Sequence, residues 1–355
     1  MKQPAAETTA LWICDTGVHA PFSAPRLPFM AKLTKRALTP YRTKLAKRLF
    51  KRPVRMAFDI AFDVLKVDNP VSIKVQFPDN ERILDTTLQS LHHFNAWGFD
   101  GSVYEPDVAA LLSIFLKGDV RFADIGANWG YFSVYAATLP AFSGPIDAVE
   151  PMPWTHADLE SAIQNLILRN RVTTHHIALS SEAGSVSMAT EDAKHSGIAR
   201  VVDDATSDAT VVPCFALDDS PIAAPDVIKM DVEEHELHVL KGAVRVLNET
   251  KPFIIMENWH NHGDPEQSLA PLRFLKEHGY ALFRPVWYSE TTGPSGAGFS
   301  LREKPPTILG RTLALAPLDW LCRSLLPDQI TVFALHRSRV GELSSFGFRP
   351  VTACP

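Results

Sequence analysis

Between residues 120 and 340 the chain alternates short runs rich in apolar and β-branched residues with longer stretches whose apolar residues recur every three or four positions. The runs predict buried strands at 120–125, 146–150, 173–179, 227–232 and 253–258. The longer stretches predict helices at 129–138, 155–169 and 234–248. Leu159, Ile163, Leu166 and Ile167 would make the inner face of the second, and Leu237, Leu240, Val244 and Leu247 that of the third. Upstream, VSIKVQF reads as a strand with PDN as the turn after it. Glu105 to Leu116 reads as a helix, with Pro106 in its first turn and Gly118 beyond its end. Downstream, Asp264 caps a helix that opens at Pro265 and closes at Gly279, and strands follow at 280–283 and 330–337. Such alternation predicts an α/β fold, a mostly parallel sheet with helices on both faces. Ligands of such sheets bind beyond the carboxyl ends of the strands, near the topological switch.

The pattern divides the chain into an N-terminal arm at 1–58, a lead-in at 59–104, the alternating domain at 105–340 with an insertion at 285–329, and a tail at 341–355. Residues 1–25 are small, polar and proline-bearing and read as disordered. Composition is that of a soluble globular protein, with 46% hydrophobic and 21% charged residues, and no apolar run is long enough to cross a bilayer. Cys14, Cys214, Cys322 and Cys354 are too scattered for a metal site or disulfide framework, and the N-terminus lacks a secretory core, so a cytoplasmic setting is expected. Charge changes the picture at one place. Residues 16–58 hold 11 Lys or Arg and no acid, while the rest holds 24 basic and 40 acidic side chains. Within 26–58, Tyr41, Leu45 and Leu49 form an apolar stripe flanked by Arg42, Lys44, Lys47, Arg48, Lys51 and Arg52. This amphipathic helix either packs on the acidic domain or lies on an anionic membrane surface at its inner face. Nucleic acid fits poorly with the acidic remainder.

Candidate chemistry begins at RFADIGANWGYF, residues 121–132, where a strand hands over to a helix. Glycines there leave backbone N–H groups open at the positive end of a helix dipole. The spacing is Gly126-x3-Gly130, not the GxGxxG of a dinucleotide site, and Asp124 stands two residues before the first glycine. A carboxylate there repels phosphates and attracts a cation. The next strand ends at Glu150, which can accept hydrogen bonds from both hydroxyls of a ribose. A ribose is common to NAD and to S-adenosylmethionine, so Glu150 alone does not choose between them.

DIGANWGYF, AVEP, LILRN, IALSSEAGSV, CFALDD, VIKMDVEEHELHVLKGA and KPFIIMEN, in that order, resemble the FkbM-like family of S-adenosylmethionine-dependent methyltransferases over about residues 105–260. The resemblance implies a class I methyltransferase (Rossmann-like) fold, a seven-stranded sheet whose final strand is antiparallel. It implies methyl transfer, usually to a hydroxyl of a saccharide, a glycoconjugate or a polyketide-type secondary metabolite. It places Asp124, Gly126, Asn128 and Gly130 at the aminoacyl end of the cofactor, Glu150 at the ribose, and Ala178 to Ser180 near the adenine. One position departs: the family pattern Asp-x-Glu-Gly-x-Glu here reads Asp231-Val232-Glu233-Glu234-His235-Glu236, with Glu234 in place of glycine.

Methylating an alcohol requires a base, and the candidates at the ends of the fourth and fifth strands are Asp231, Glu233, His235, Glu257 and His260. Histidine suits the task without perturbation. Asp231, Glu257 and Asn258 also offer hard oxygens on adjacent strand ends, a set that would suit Mg2+ in a metal-dependent O-methyltransferase. Two other readings remain open: an NAD-type oxidoreductase on a Rossmann fold, and a non-catalytic scaffold that keeps the cofactor fold and uses the basic arm.

Overall fold

The computed structural model describes residues 10–16, 19–22, 71–86, 103–190, 199–202, 209–293, 296–302 and 312–351. The amphipathic helix expected within 26–58 and most of the lead-in lie outside these residues.

The chain opens with β1 (Trp12–Asp15) and a hairpin of β2 (Val71–Gln76) and β3 (Glu81–Thr86). Then come α1 (Pro106–Phe115), β4 (Phe122–Ile125), α2 (Tyr131–Thr138), β5 (Ile146–Val149), α3 (Pro153–Asn165) and β6 (Val172–His175). Next are β7 (Ala178–Leu179), β8 (Gly184–Thr190), β9 (Ala199–Val202), β10 (Thr210–Phe215) and β11 (Val227–Met230). The remainder is α4 (Glu236–Lys241), α5 (Val244–Glu249), β12 (Phe253–Trp259), α6 (Pro265–Glu277), β13 (Tyr280–Gly293), β14 (Gly296–Arg302), β15 (Thr312–Pro317), β16 (Gln329–His336) and β17 (Arg349–Pro350).

The main sheet runs β6-β5-β4-β11-β12-β16-β13 through its centre. Pairs from β6 to β12 are parallel, and β16 enters antiparallel between β12 and β13. This is the class I methyltransferase sheet, with its antiparallel final strand. The chain winds outward from β4 to β6 and returns to β11, so the topological switch lies between β4 and β11.

Several elements differ from the periodicity reading. The run 173–179 splits, because β7 leaves the main sheet and pairs with β10 in a small sheet ordered β7-β10-β8-β9. The helix expected at 234–248 breaks at Gly242–Ala243, which rotates its inner face to Val239, Leu240, Val246 and Leu247 and leaves Val244 exposed. α3 ends at Asn165, so Ile167 falls in the following turn with φ 56° and points to solvent. The insertion at 285–329 carries strands of its own. β13 runs on to Gly293, and β14 and β15 pair with it and widen the sheet. Trp12–Asp15, expected in a disordered stretch, pairs with β15 and β17 and buries Trp12, Ile13 and Cys14.

A core lies on each face of the sheet. On one, Phe115 of α1 sits 4.5 Å from Phe253 and 4.8 Å from Phe333 between ring centroids. On the other, Leu240, Leu247, Leu272 and Leu275 cover Ile228, Ile254 and Met256. Side chains alternate along β12, with Phe253 and Ile255 on the α1 side and Ile254 and Met256 on the α6 side. Continued to the strand end, that alternation sends Glu257 to the α1 side and Asn258 to the other. No helix among the described residues is long and apolar enough to cross a membrane.

Candidate functional site

Two cavities open at the carboxyl ends of the central strands. The first is lined by Gly126, Asn128, Glu150, Ala178, Asp231, Glu233 and His235. Ile125, Val149, Ile177, Leu179, Met188 and Val201 add an apolar wall, the last three from the small sheet. The second is lined by Glu105, Asp107, Lys229, Asp231, Glu257, Arg284, Gln329 and Thr331, with apolar neighbours between them. Asp231 belongs to both.

The first cavity is built by close loop packing at the switch. Gly126 has φ 74°, and a Cβ on it would stand 1.7 Å from the carbonyl oxygen of Asp231. Any side chain there would push the loops after β4 and β11 apart. Gly130 starts α2 with φ 96°, and its Cβ would meet a Leu159 methyl at 2.6 Å, so it serves packing and does not line the cavity. Glu150 is buried at the tip of β5, where its carboxylate accepts from the backbone N–H groups of Asn128 at 3.0 Å and Met152 at 2.9 Å. Burial pushes this carboxyl up to about 7 against those two favourable bonds. Ser180 stands behind the wall, its hydroxyl 3.0 Å from Nε2 of His235.

Asp124 is placed differently from the expectation that it holds a ligand amine directly. It is fully buried, lines neither cavity, accepts from the Ser133 hydroxyl at 2.7 Å and lies 3.7 Å from the Lys229 ammonium.

Neither expected histidine base reaches the second cavity. His235 faces the first, stacked 4.5 Å from His238, and burial with that neighbour lowers it to about 4. His260 lines neither; its backbone N–H donates to Asp328 at 2.6 Å and its ring meets His262 at 4.6 Å. Asn258 turns away as the strand period requires. Its amide donates to the Ser268 carbonyl at 2.9 Å and its carbonyl accepts from Arg323 at 2.5 Å. Among the described residues, those placed to hold a metal are Asp231, Glu233 and Glu257, whose oxygens lie within 4.8 Å of one another. Burial followed by Asp231, Glu236 and Glu234 raises Glu233 to about 8. Burial and the adjoining Asp231 and Glu105 hold Glu257 protonated well above the carboxylate range.

Residues 124–282 match the family model described as the methyltransferase FkbM domain. Residues 124–282, a little under half of the chain, are therefore similar to an FkbM methyltransferase domain. No curated protein matches the chain. Among solved structures, methyltransferase FkbM from Methylobacillus flagellatus KT is 20% identical over 56% of this chain and 43% of its own, with a TM-score of 0.35. Precorrin-6y C5,15-methyltransferase from Geobacter metallireducens GS-15 is 17% identical over 66% and 88%, with a TM-score of 0.35. An O-methyltransferase from Bacillus cereus in complex with SAH is 14% identical over 65% and 91%, with a TM-score of 0.34.

The second cavity, lined partly by residues outside 124–282, contains groups that motif spacing did not single out. Lys229 sits inside the apolar run VIKM, and Glu105 looks like an acid at a helix start. Glu105 does not cap α1. Its backbone is left-handed, φ 39° and ψ 69°, a conformation that costs a non-glycine residue about 1–2 kcal/mol. Burial, then Asp231, pushes its carboxyl up to about 7. An uncapped acid in a strained backbone was the available signal, and only the backbone reveals it.

Proposed function

We propose that the chain is an S-adenosylmethionine-dependent O-methyltransferase whose acceptor is a hydroxyl on a saccharide, a glycoconjugate or a secondary metabolite. The observation that carries this reading is Asp231, which lines both cavities, so that donor and acceptor would meet at one residue. The chemistry of the first cavity fits the donor. Its apolar wall suits a flat base, Glu150 has lone pairs left for a diol, and Asp231 and Glu233 suit a cationic end. The same carboxylates would repel a pyrophosphate, which disfavours the oxidoreductase reading. A bound donor supplies an electrophilic methyl on a sulfonium.

The chain's own residues must then hold the acceptor hydroxyl in line and take its proton. Positioning of this kind supplies about 7–11 kcal/mol. Glu105, raised to about 7, is the group best matched to proton removal near neutral pH. Glu257 holds its proton and serves as a hydrogen-bond donor to the acceptor. A second reading, favoured by the cluster of Asp231, Glu233 and Glu257, adds Mg2+ at those three residues to acidify the hydroxyl.

Isothermal titration of the full chain with S-adenosylhomocysteine, followed by a methyl-donor assay on fractionated extracts with mass spectrometry, tests the proposal. Binding and a mass gain of one methyl on a hydroxyl compound are expected. Absence of binding overturns it, and binding without any methylated product supports the scaffold. Loss of transfer on adding EDTA, restored by Mg2+, separates the metal-assisted route.

A further inference from the structure

We propose that Lys229 is a positioning residue that holds the donor loop and the junction acid Asp231 together, and that Asp124 influences the donor site only through it. The inference rests on the donor reading of the first cavity.

Asp124 and Lys229 are register partners on the adjacent parallel strands β4 and β11, and both are buried. Their side chains project on the α1 face, one step before the switch. The Lys229 ammonium carries three N–H donors. Three acceptors surround it: the Gly126 carbonyl at 3.1 Å, Asp231 Oδ2 at 3.4 Å and Asp124 Oδ1 at 3.7 Å. The Phe132 ring closes a further side, with its centroid 5.5 Å away. Gly126 begins the donor loop, and Asp231 is the wall shared by both cavities, so one ammonium links the two parts whose spacing sets the donor floor.

Asp124 supplies the buried counter-charge. Its Oδ2 is taken by Ser133, and its Oδ1 has no hydrogen-bond partner, leaving the ammonium as its main compensation. An isolated buried charge is unfavourable, so removing either partner strands the other. The acid of the DIGANWG motif therefore keeps Lys229 in place, and Lys229 in turn keeps Gly126 and Asp231 in place. Neither needs to touch the donor for its loss to be felt there.

The test uses S-adenosylhomocysteine as probe, titrated calorimetrically into the full chain, with melting temperature measured in parallel. Lys229→Met is expected to weaken binding by about tenfold or more, as for loss of a charged hydrogen bond. Asp124→Asn should weaken it too. The decisive variant carries both substitutions and removes both charges of the Asp124–Lys229 pair, so its melting temperature should recover part of the way towards native. Its affinity should stay as low as that of Lys229→Met alone. A merely structural ion pair would regain affinity together with stability, and that result overturns the inference. Losses that add in the double variant overturn it too, because Asp124 would then contact the donor independently. So does a Lys229→Met protein that binds within about threefold of native. Should Lys229→Met fail to fold, the double variant alone decides. A native chain that does not bind the probe removes the donor reading and this inference together, whereas native binding with an unaffected variant removes the inference alone.

Discussion

The backbone N–H of Asn128 donates to Oε2 of Glu150 at 3.0 Å, so the glycine turn and the tip of the next strand share one carboxylate. Burial raises that carboxyl to about 7. Its ionised form accepts hydrogen bonds most strongly, so a ribose should be held better as pH rises through that value. S-adenosylhomocysteine affinity is therefore expected to increase between about pH 6 and about pH 8. In Glu150→Gln the affinity should fall by about tenfold or more, and the part of the pH response centred near 7 should vanish. Titration calorimetry across the range checks both, and a variant that keeps the native pH response would remove Glu150 from the donor site.

The same carboxyl makes a stability prediction of known sign. In the unfolded chain Glu150 loses its proton near its ordinary value of 4.5, and in the folded chain near 7. Between those values the folded state binds the extra proton, so this group's favourable contribution is complete below 4.5 and is lost as pH rises through 7. Glu150→Gln removes that dependence. Its melting temperature relative to native should climb from acid to mildly alkaline pH, so the variant would gain stability where it loses donor affinity.

Asn258 anchors a loop. Arg323, fully buried, donates to the Asn258 side chain at 2.5 Å, the Asn258 carbonyl at 2.7 Å, and the Pro327 and Asp328 carbonyls at 2.7 and 2.5 Å. Asn258→Ala leaves the guanidinium one acceptor short and should cost about 1–3 kcal/mol. Denaturant melts should show the loss, and S-adenosylhomocysteine affinity should not change.

How far this site is legible in sequence depends on what each residue's neighbours are. The donor turn is local: glycines, an acid and a strand-to-helix change of period sit within one short stretch, and Glu150 ends the next apolar run. The strand period also separates Glu257 from Asn258 without any coordinates. The acceptor cavity is not local. It gathers Glu105 from a helix start, Lys229 from mid-strand, Glu257 from a strand end and Arg284 from β13, residues whose meeting depends on sheet order. Asp124 is the instructive case. Its spacing to Gly126 is readable, but whether it faces a ligand or a buried lysine is decided by the register of β4 against β11.

The 11 cations between residues 16 and 58, unaccompanied by any acid, should give the full chain an affinity for vesicles containing anionic lipid. Co-sedimentation should weaken as salt rises and the Debye length falls from about 30 Å to about 10 Å. Deleting residues 1–58 should also remove the N-terminal strand Trp12–Asp15, so charge-reversing Lys47, Arg48, Lys51 and Arg52 is the cleaner variant. Equal sedimentation of that variant would show the segment is not the contact.

Glu234, where the family pattern carries glycine, has φ 71°, and Glu233 before it has φ 48°. Two successive non-glycine residues in the left-handed region are strained by about 1–3 kcal/mol each. The Glu234 carboxylate accepts from Asn261 at 3.4 Å and Gln267 at 3.3 Å, which ties the loop after β11 to the head of α6. Those bonds are long and half-exposed, so they offset only part of the strain. Glu234→Ala loses them and keeps the strain, whereas Glu234→Gly loses them and relieves it. Glycine should therefore be the more stable of the two by about 1–2 kcal/mol in denaturant melts. If alanine equals glycine, the backbone there is relaxed. The acceptor site should then be compared between native and glycine variants, because the same loop carries Asp231 and Glu233, and freeing it from α6 would widen the range of acceptors at the expense of rate.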